Sequence, residues 1–112
     1  MMYFDYIRER VANVGFIQEE CGFVVYTINA QEGSIFVREL YVAPRFRKTK
    51  VGTGLMKKVE EIAKKDNINV MVANIDLLAK NYKDSLRAAL AYGFEISGTN
   101  HNMVYLFKAL EV

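Results

Sequence analysis

Ile35-Phe36-Val37-Arg38-Glu39-Leu40-Tyr41-Val42-Ala43-Pro44-Arg45-Phe46-Arg47-Lys48-Thr49-Lys50-Val51-Gly52-Thr53-Gly54-Leu55 is the stretch that decides the fold. Ile35 to Val42 is β-branched and aromatic, which predicts a strand, and Ala43-Pro44 ends it. The six residues 45–50 form a basic turn. From Val51 the pattern changes to helical spacing: Val51, Leu55, Val59 and Ile62 lie on one stripe, Met56 and Ala63 widen it, and charged residues fill the other side as far as Lys65. Strand, turn and helix in this order aim the helix's unpaired first N–H groups at one spot. Together with Arg45, Arg47, Lys48 and Lys50, that spot favours an anion.

The flanking segments extend this unit into a sheet. Gly22 to Ala30 is a second β-branched and aromatic run, and Gln31-Glu32-Gly33-Ser34 supplies turn chemistry, so the two runs form an antiparallel hairpin. Ile35, Val37 and Tyr41 are expected on one face of the central strand, with Phe36, Leu40 and Val42 on the other. A strand apolar on both sides belongs inside a sheet. After the helix, Ile68 to Ala73 is nearly all apolar, which completes a right-handed βαβ unit with parallel strands.

Tyr3 to Ala12 has helical spacing, and Phe16 to Glu20 fits a short edge strand. A second long helix is expected from Asn81 to Tyr92, with Tyr82, Leu86, Ala89 and Leu90 inward and Gly93 as its stop. Phe94–Ser97 and Met103–Phe107 form a closing hairpin around Gly98–Asn102. The fold class is therefore α/β of mixed character: antiparallel N-terminal strands, a central parallel βαβ unit and a C-terminal hairpin.

Composition bounds the rest. The 112 residues suit one domain, 1–112, and with 52% hydrophobic and 25% charged residues the chain can bury a core. A formal net charge of +2 is too small for general nucleic-acid or membrane attraction, so any anion preference comes from charge placement. Cys21 has no second cysteine to pair with, no metal-ligand spacing is present, and the N-terminus lacks a basic and apolar leader, so a cytoplasmic protein is expected.

Two glycine-rich readings fail on spacing. Gly52-Thr53-Gly54 has Lys57 where a dinucleotide fingerprint needs its third small residue, and no glycine stands four residues before a Gly-Lys-Ser/Thr run as a phosphate-binding P-loop requires. What remains is a helix start with cations around it, for which a solvated basic turn is the simple alternative.

The run Leu40 to Leu55 resembles the acetyl-CoA signature of the GNAT superfamily of N-acyltransferases, V-x-P-x-[FY]-R-x-x-G-x-G/A-x-x-L. The element order from Gly22 onward and the Ala91-Tyr92-Gly93-Phe94 end of the second helix are also similar to that family, so the likeness covers about three-quarters of the chain. It implies a GNAT-like sheet, acetyl-CoA as cosubstrate and acetyl transfer to an amine. Arg47 matches the arginine at the start of the family's pyrophosphate loop and Gly52 its second small residue, while Lys50 stands where the first glycine usually is. By the same resemblance Tyr41 and Val42 offer main-chain groups to the pantetheine arm. The amides of Lys48, Thr49, Lys50, Val51, Gly52, Thr53 and Gly54 hold the phosphates, and Asn81 lies near the cofactor.

For catalysis the resemblance implies direct attack of an amine on the thioester. That reaction needs a base, an oxyanion donor and an acid for the leaving thiolate. Glu39 is the candidate base, with an ion pair to Arg38 or another cation as its structural alternative, and the Val42 N–H is the oxyanion donor. The family often carries a tyrosine four residues before the closing glycine, and here that residue is Ala89. Tyr92 is nearly a turn away, which leaves Ser85 and Tyr82 as the candidate hydroxyls on this helix.

The helices that usually shape the family's acceptor side are reduced to Tyr3–Ala12. That implies an open groove, either accepting a protein or bulky amine or completed by a second copy in a homodimer; the acceptor amine itself is a small molecule or a protein. His101 falls in the closing hairpin turn. Besides an acetyltransferase, a catalytically silent CoA-binding or protein-interaction module fits the same residues. A nucleic-acid binder fits least, because only Phe46 accompanies the cations as an aromatic platform.

Overall fold

A computed structural model describes residues 2–111. Its elements are α1 (Met2–Arg10), β1 (Val14–Glu19), β2 (Gly22–Asn29), β3 (Ser34–Val42), α2 (Val51–Lys65), β4 (Val70–Asp76), α3 (Tyr82–Tyr92), β5 (Glu95–Asn100) and β6 (Met103–Ala109), with a short 3-10 turn at Pro44–Phe46. One six-stranded sheet carries them in the order β1-β2-β3-β4-β6-β5. All neighbouring strands are antiparallel except β3 and β4, which run parallel over Ser34–Val37 and Val70–Ala73. The mixed sheet, the central βαβ unit and the closing hairpin match the expected fold class.

α2 and α3 share one face of the sheet. Leu55, Met56, Val59 and Ala63 of α2 are buried against Val24, Ile35, Val37, Met71, Val104 and Leu106. Each such large side chain contributes about 1.5–3 kcal/mol when removed from water. The Glu60–Lys64 pair on the wet side, 3.2 Å long, adds only a few tenths, about 0.3 kcal/mol. Apolar burial therefore sets the position of α2. Gly93 takes φ 116° and ends α3, with its N–H bonded to the Leu90 carbonyl at 3.1 Å.

The other face is covered only over β1–β3, by α1. Phe4 stacks on Phe16 with ring centres 4.3 Å apart and meets Phe23 edge-on at 5.5 Å, and Phe23 in turn lies 5.5 Å from Tyr41. This aromatic cluster explains why a nine-residue helix, too short to be stable alone, is held in place.

Several sequence expectations shift. The register of β2 against β3 slips between Val25, opposite Glu39, and Tyr26, opposite Val37, which leaves Arg38 as an extra residue. This β-bulge resets the alternation of faces. Leu40 and Val42 join Ile35 and Val37 on the α2 face, while Tyr41 turns to the α1 face, opposite to the uninterrupted pleat assumed from sequence. Leu90, expected inward, is exposed, because α3 sits at the margin of the core. β4 begins at Val70 rather than Ile68, since the Ile68 N–H closes the end of α2 on the Ala63 carbonyl. The closing turn contracts to His101-Asn102, because Asn100 already pairs with Met103.

Candidate active site

β3 and β4 are parallel neighbours only as far as Val37 and Ala73, after which β4 continues against β6 alone. From Arg38 onward β3 therefore has a partner on its β2 side and an open side facing the gap. Which main-chain groups look into that gap follows from the ladder. The Ala43 N–H donates to the Cys21 carbonyl at 2.8 Å, so Cys21 and Ala43 form a hydrogen-bonded pair; Phe23 and Tyr41 form the next one. Leu40 and Val42, at the alternate positions, turn their N–H and C=O groups away from β2 and into the gap. Tyr41, expected from sequence to offer main-chain groups there, spends them on Phe23; Leu40 takes that place beside Val42.

The N-terminus of α2 closes the same end of the sheet. Gly54 N–H starts the helical ladder on the Lys50 carbonyl at 2.9 Å, and the Val51 N–H meets Thr49 Oγ1 at 3.3 Å. The N–H groups of Gly52 and Thr53 have no acceptor among the described residues, as expected for a helix without a side-chain cap. A Cβ on Gly52 would make ordinary contacts with Val42 and Leu40 at 3.7 and 3.9 Å, which places this first turn directly over the open segment of β3. A Cβ on Gly54 would meet nothing within 4 Å, so the helix is bare on that side.

Lys50 has φ −91°, a conformation open to any residue, so replacing the family's usual glycine costs no backbone strain. The left-handed residue of the turn is instead Lys48, at φ 61°. Thr49 Oγ1 also bonds the Phe46 carbonyl at 2.5 Å and fixes the loop from inside.

The cations around this site are not equivalent. Arg45 pairs with Glu20 at 3.7 Å and lies over the Phe46 ring. Arg47 donates from Nε to the Val42 carbonyl at 2.9 Å, with its guanidinium 5.7 Å from the Tyr41 ring centre. It thus lies across the end of β3. Lys48 and Lys50 are exposed and have no ion-pair partner among the described residues.

The candidate catalytic groups divide between the two faces. Glu39 is exposed on the α1 face and accepts a hydrogen bond from the Tyr3 hydroxyl; among the described residues it does not pair with Arg38. Tyr82 and Ser85 lie in the first turns of α3, which starts at the end of the sheet where β4 finishes, the same end as Val42 and the α2 N-terminus. Tyr82 is half-buried and Ser85 exposed, and neither side chain bonds Glu39. Asn81 precedes α3 with φ 61°, and its carbonyl receives the Ser85 N–H at 3.1 Å. Ala89 packs at the core margin.

Tyr92 belongs to a separate network at the other end of α3. Its hydroxyl donates to Glu60 Oε1 at 2.9 Å, and the same oxygen is 3.2 Å from Lys108 Nζ. Burial, and then the Glu60 carboxylate, push the Tyr92 phenol well above its ordinary value. Burial alone would raise Glu60, but the Tyr92 hydroxyl and the Lys108 and Lys64 ammonium groups outweigh it and hold the carboxyl below its ordinary value. These contacts tie α3 to α2 and β6.

Residues 6–103 match the family model described as the acetyltransferase (GNAT) family. The chain belongs to the GNAT family of acetyltransferases. No curated protein is significantly similar to it in sequence. Among solved structures, PaiA N-acetyltransferase from Thermoplasma acidophilum in complex with coenzyme A superposes with a TM-score of 0.76 at 18% identity, over 93% of this chain and 65% of that one. Nourseothricin acetyltransferase gives 0.70 at 20%, over 81% and 58%. A GNAT family acetyltransferase from Elizabethkingia anophelis with acetyl-CoA bound gives 0.74 at 18%, over 95% and 82%. This GNAT chain thus spans about two-thirds or less of the length of the first two.

Sequence reasoning missed Leu40 as a residue whose main chain faces the gap, because of the bulge. The adjacent charges Arg38-Glu39 inside an apolar strand were the available signal, since two consecutive residues that both favour water break a strict two-residue alternation.

Proposed function

We propose that this GNAT chain is an acetyl-CoA-dependent N-acetyltransferase that moves the acetyl group to an amine by direct attack. The observation that carries this reading is the coincidence, at one end of the sheet, of the open main-chain groups of Leu40 and Val42 with the unpaired Gly52 and Thr53 N–H groups of α2. A strand with an open side suits the amide-bearing pantetheine arm. A helix N-terminus among Arg47, Lys48 and Lys50 suits the diphosphate. Main-chain amides of Lys48, Thr49, Lys50, Gly52 and Thr53 would hold the phosphates, with Asn81 toward the far side of the cofactor; the expected Gly54 amide is spent on the Lys50 carbonyl and that of Val51 on Thr49 Oγ1. Similarity to structures with coenzyme A or acetyl-CoA bound supports the same assignment.

In the reaction, the neutral amine nitrogen attacks the thioester carbonyl carbon and the Val42 N–H stabilises the oxyanion. The C–S bond then breaks and CoA leaves as thiolate. Glu39 removes the amine's proton, directly or through water, and Tyr3 orients the Glu39 carboxylate through its hydroxyl. Tyr82 or Ser85 supplies the proton to the thiolate, or the thiolate leaves unaided. The Val42 carbonyl accepts from Arg47 Nε with one lone pair and has a second to offer pantetheine. The protein works in the cytoplasm, alone or as a homodimer.

A catalytically silent CoA-binding module is the second reading, favoured by Ala89 and by the commitment of Tyr92 to Glu60. Calorimetric titration with acetyl-CoA tests both readings: no binding at millimolar cofactor would sink them together. Thiol release with pooled amines then separates enzyme from module, and Glu39→Gln should slow release by about 10²-fold or more without weakening acetyl-CoA.

A further inference from the structure

A groove of about 480 Å³ lies on the α1 face, between the C-terminal end of α1 and the β2–β3 hairpin. Val11, Asn13, Thr27, Phe36 and Arg38 line it, and Arg38 is the one charged residue in its wall. Ordinary alternation puts Arg38 there, two residues on from Phe36, and the bulge turns Glu39 onto the same face. Arg38 has no hydrogen-bond or ion-pair partner among the described residues, although Glu39, its chain neighbour on the same face, carries the opposite charge. Glu39 is taken by the Tyr3 hydroxyl instead.

We propose that this groove is the acceptor site and that it selects amines carrying a carboxylate, of the α-amino acid class. The inference rests on the acetyl-transfer reading above. A guanidinium presents a planar fork that matches a carboxylate with two parallel hydrogen bonds, and an unpaired fork at the mouth of a groove is free to do so. In an α-amino acid the carboxylate and the amine share one carbon. A carboxylate held by Arg38 therefore leaves the amine beside Glu39, the proposed base, and the substituent extends into the groove over Phe36 and Val11. The groove, about 480 Å³, has room for a single amino acid.

The test compares L-phenylalanine with L-phenylalaninol, in which a hydroxymethyl group replaces the carboxylate and the amine keeps similar basicity. At saturating acetyl-CoA, thiol release should give kcat/KM at least about tenfold higher for phenylalanine. Arg38→Gln should abolish that preference, bringing kcat/KM for phenylalanine down to that for phenylalaninol. Arg38→Lys, which keeps the charge without the fork, should retain part of the preference. Equal kcat/KM for the two acceptors in the unmodified chain, or a preference that survives Arg38→Gln, would overturn the proposal. Chemical shifts of the Thr27, Ser34 and Phe36 amides, titrated with L-phenylalanine with and without CoA, read the groove independently of turnover. Saturable shifts that Arg38→Gln removes support the site even if acetyl transfer fails, and their absence overturns it even if acetyl-CoA binds.

Discussion

Tyr92→Phe isolates the network that sets Tyr92 apart from catalysis. The substitution deletes one hydroxyl and with it the 2.9 Å bond to Glu60, while Lys108 and Lys64 remain 3.2 Å from that carboxylate. A hydrogen bond to a charged group contributes about 1.5–3 kcal/mol. The remaining cations and the partial exposure of Glu60 place this one near the lower end, about 1.5–2 kcal/mol. For a chain of 112 residues the unfolding entropy is about 0.24 kcal/mol/K, so the melting temperature should fall by about 6–8 °C. Calorimetric or circular-dichroism melts measure this, and acetyl-CoA affinity and thiol release at 25 °C should stay within about twofold. A Tyr92→Phe chain that melts unchanged but loses transfer by tenfold or more would refute the reasoning and make Tyr92 a candidate for the acid.

The same network predicts a pH dependence. Glu60 is held below its ordinary value in the folded chain, so its contribution is fully present above the unfolded carboxyl pKa of about 4.3 and is lost as pH falls through the folded value. Glu60→Gln should therefore flatten the acid limb of the melting-temperature profile, and an unchanged limb would contradict this assignment. A Cβ on Gly15 would fall 2.2 Å from Cζ of Tyr26, whose ring lies over that glycine, so Gly15→Ala should cost about 1–3 kcal/mol in denaturant unfolding. Lys48 holds φ 61°, which costs a non-glycine residue about 1 kcal/mol; Lys48→Gly should therefore raise the denaturant midpoint slightly, and a fall would argue against the loop conformation.

The sequence by itself determined the βαβ unit, the hairpins around it and the basic turn that opens α2. Helix α2 was legible to the residue, Val51–Lys65, because a broad apolar stripe with charged neighbours admits one burial solution. The stop of α3 at Gly93 was legible for the same kind of reason: only a glycine takes φ 116° readily. These features are local, and local chemistry is what a sequence states directly.

Tertiary structure alone decided which groups face the gap and which face the groove. One extra residue in β3, forced by the register with β2, exchanged the roles of Tyr41 and Leu40 and brought Arg38 and Glu39 onto one face. No local pattern specifies such a slip, because it depends on how two strands distant in sequence share their hydrogen bonds. The fate of Tyr92 was equally non-local, since Glu60 and Lys108 meet it from a different helix and a different strand. The basic turn and the helix start could be read from the chain; the faces of Glu39, Leu40 and Tyr41 required the packed sheet.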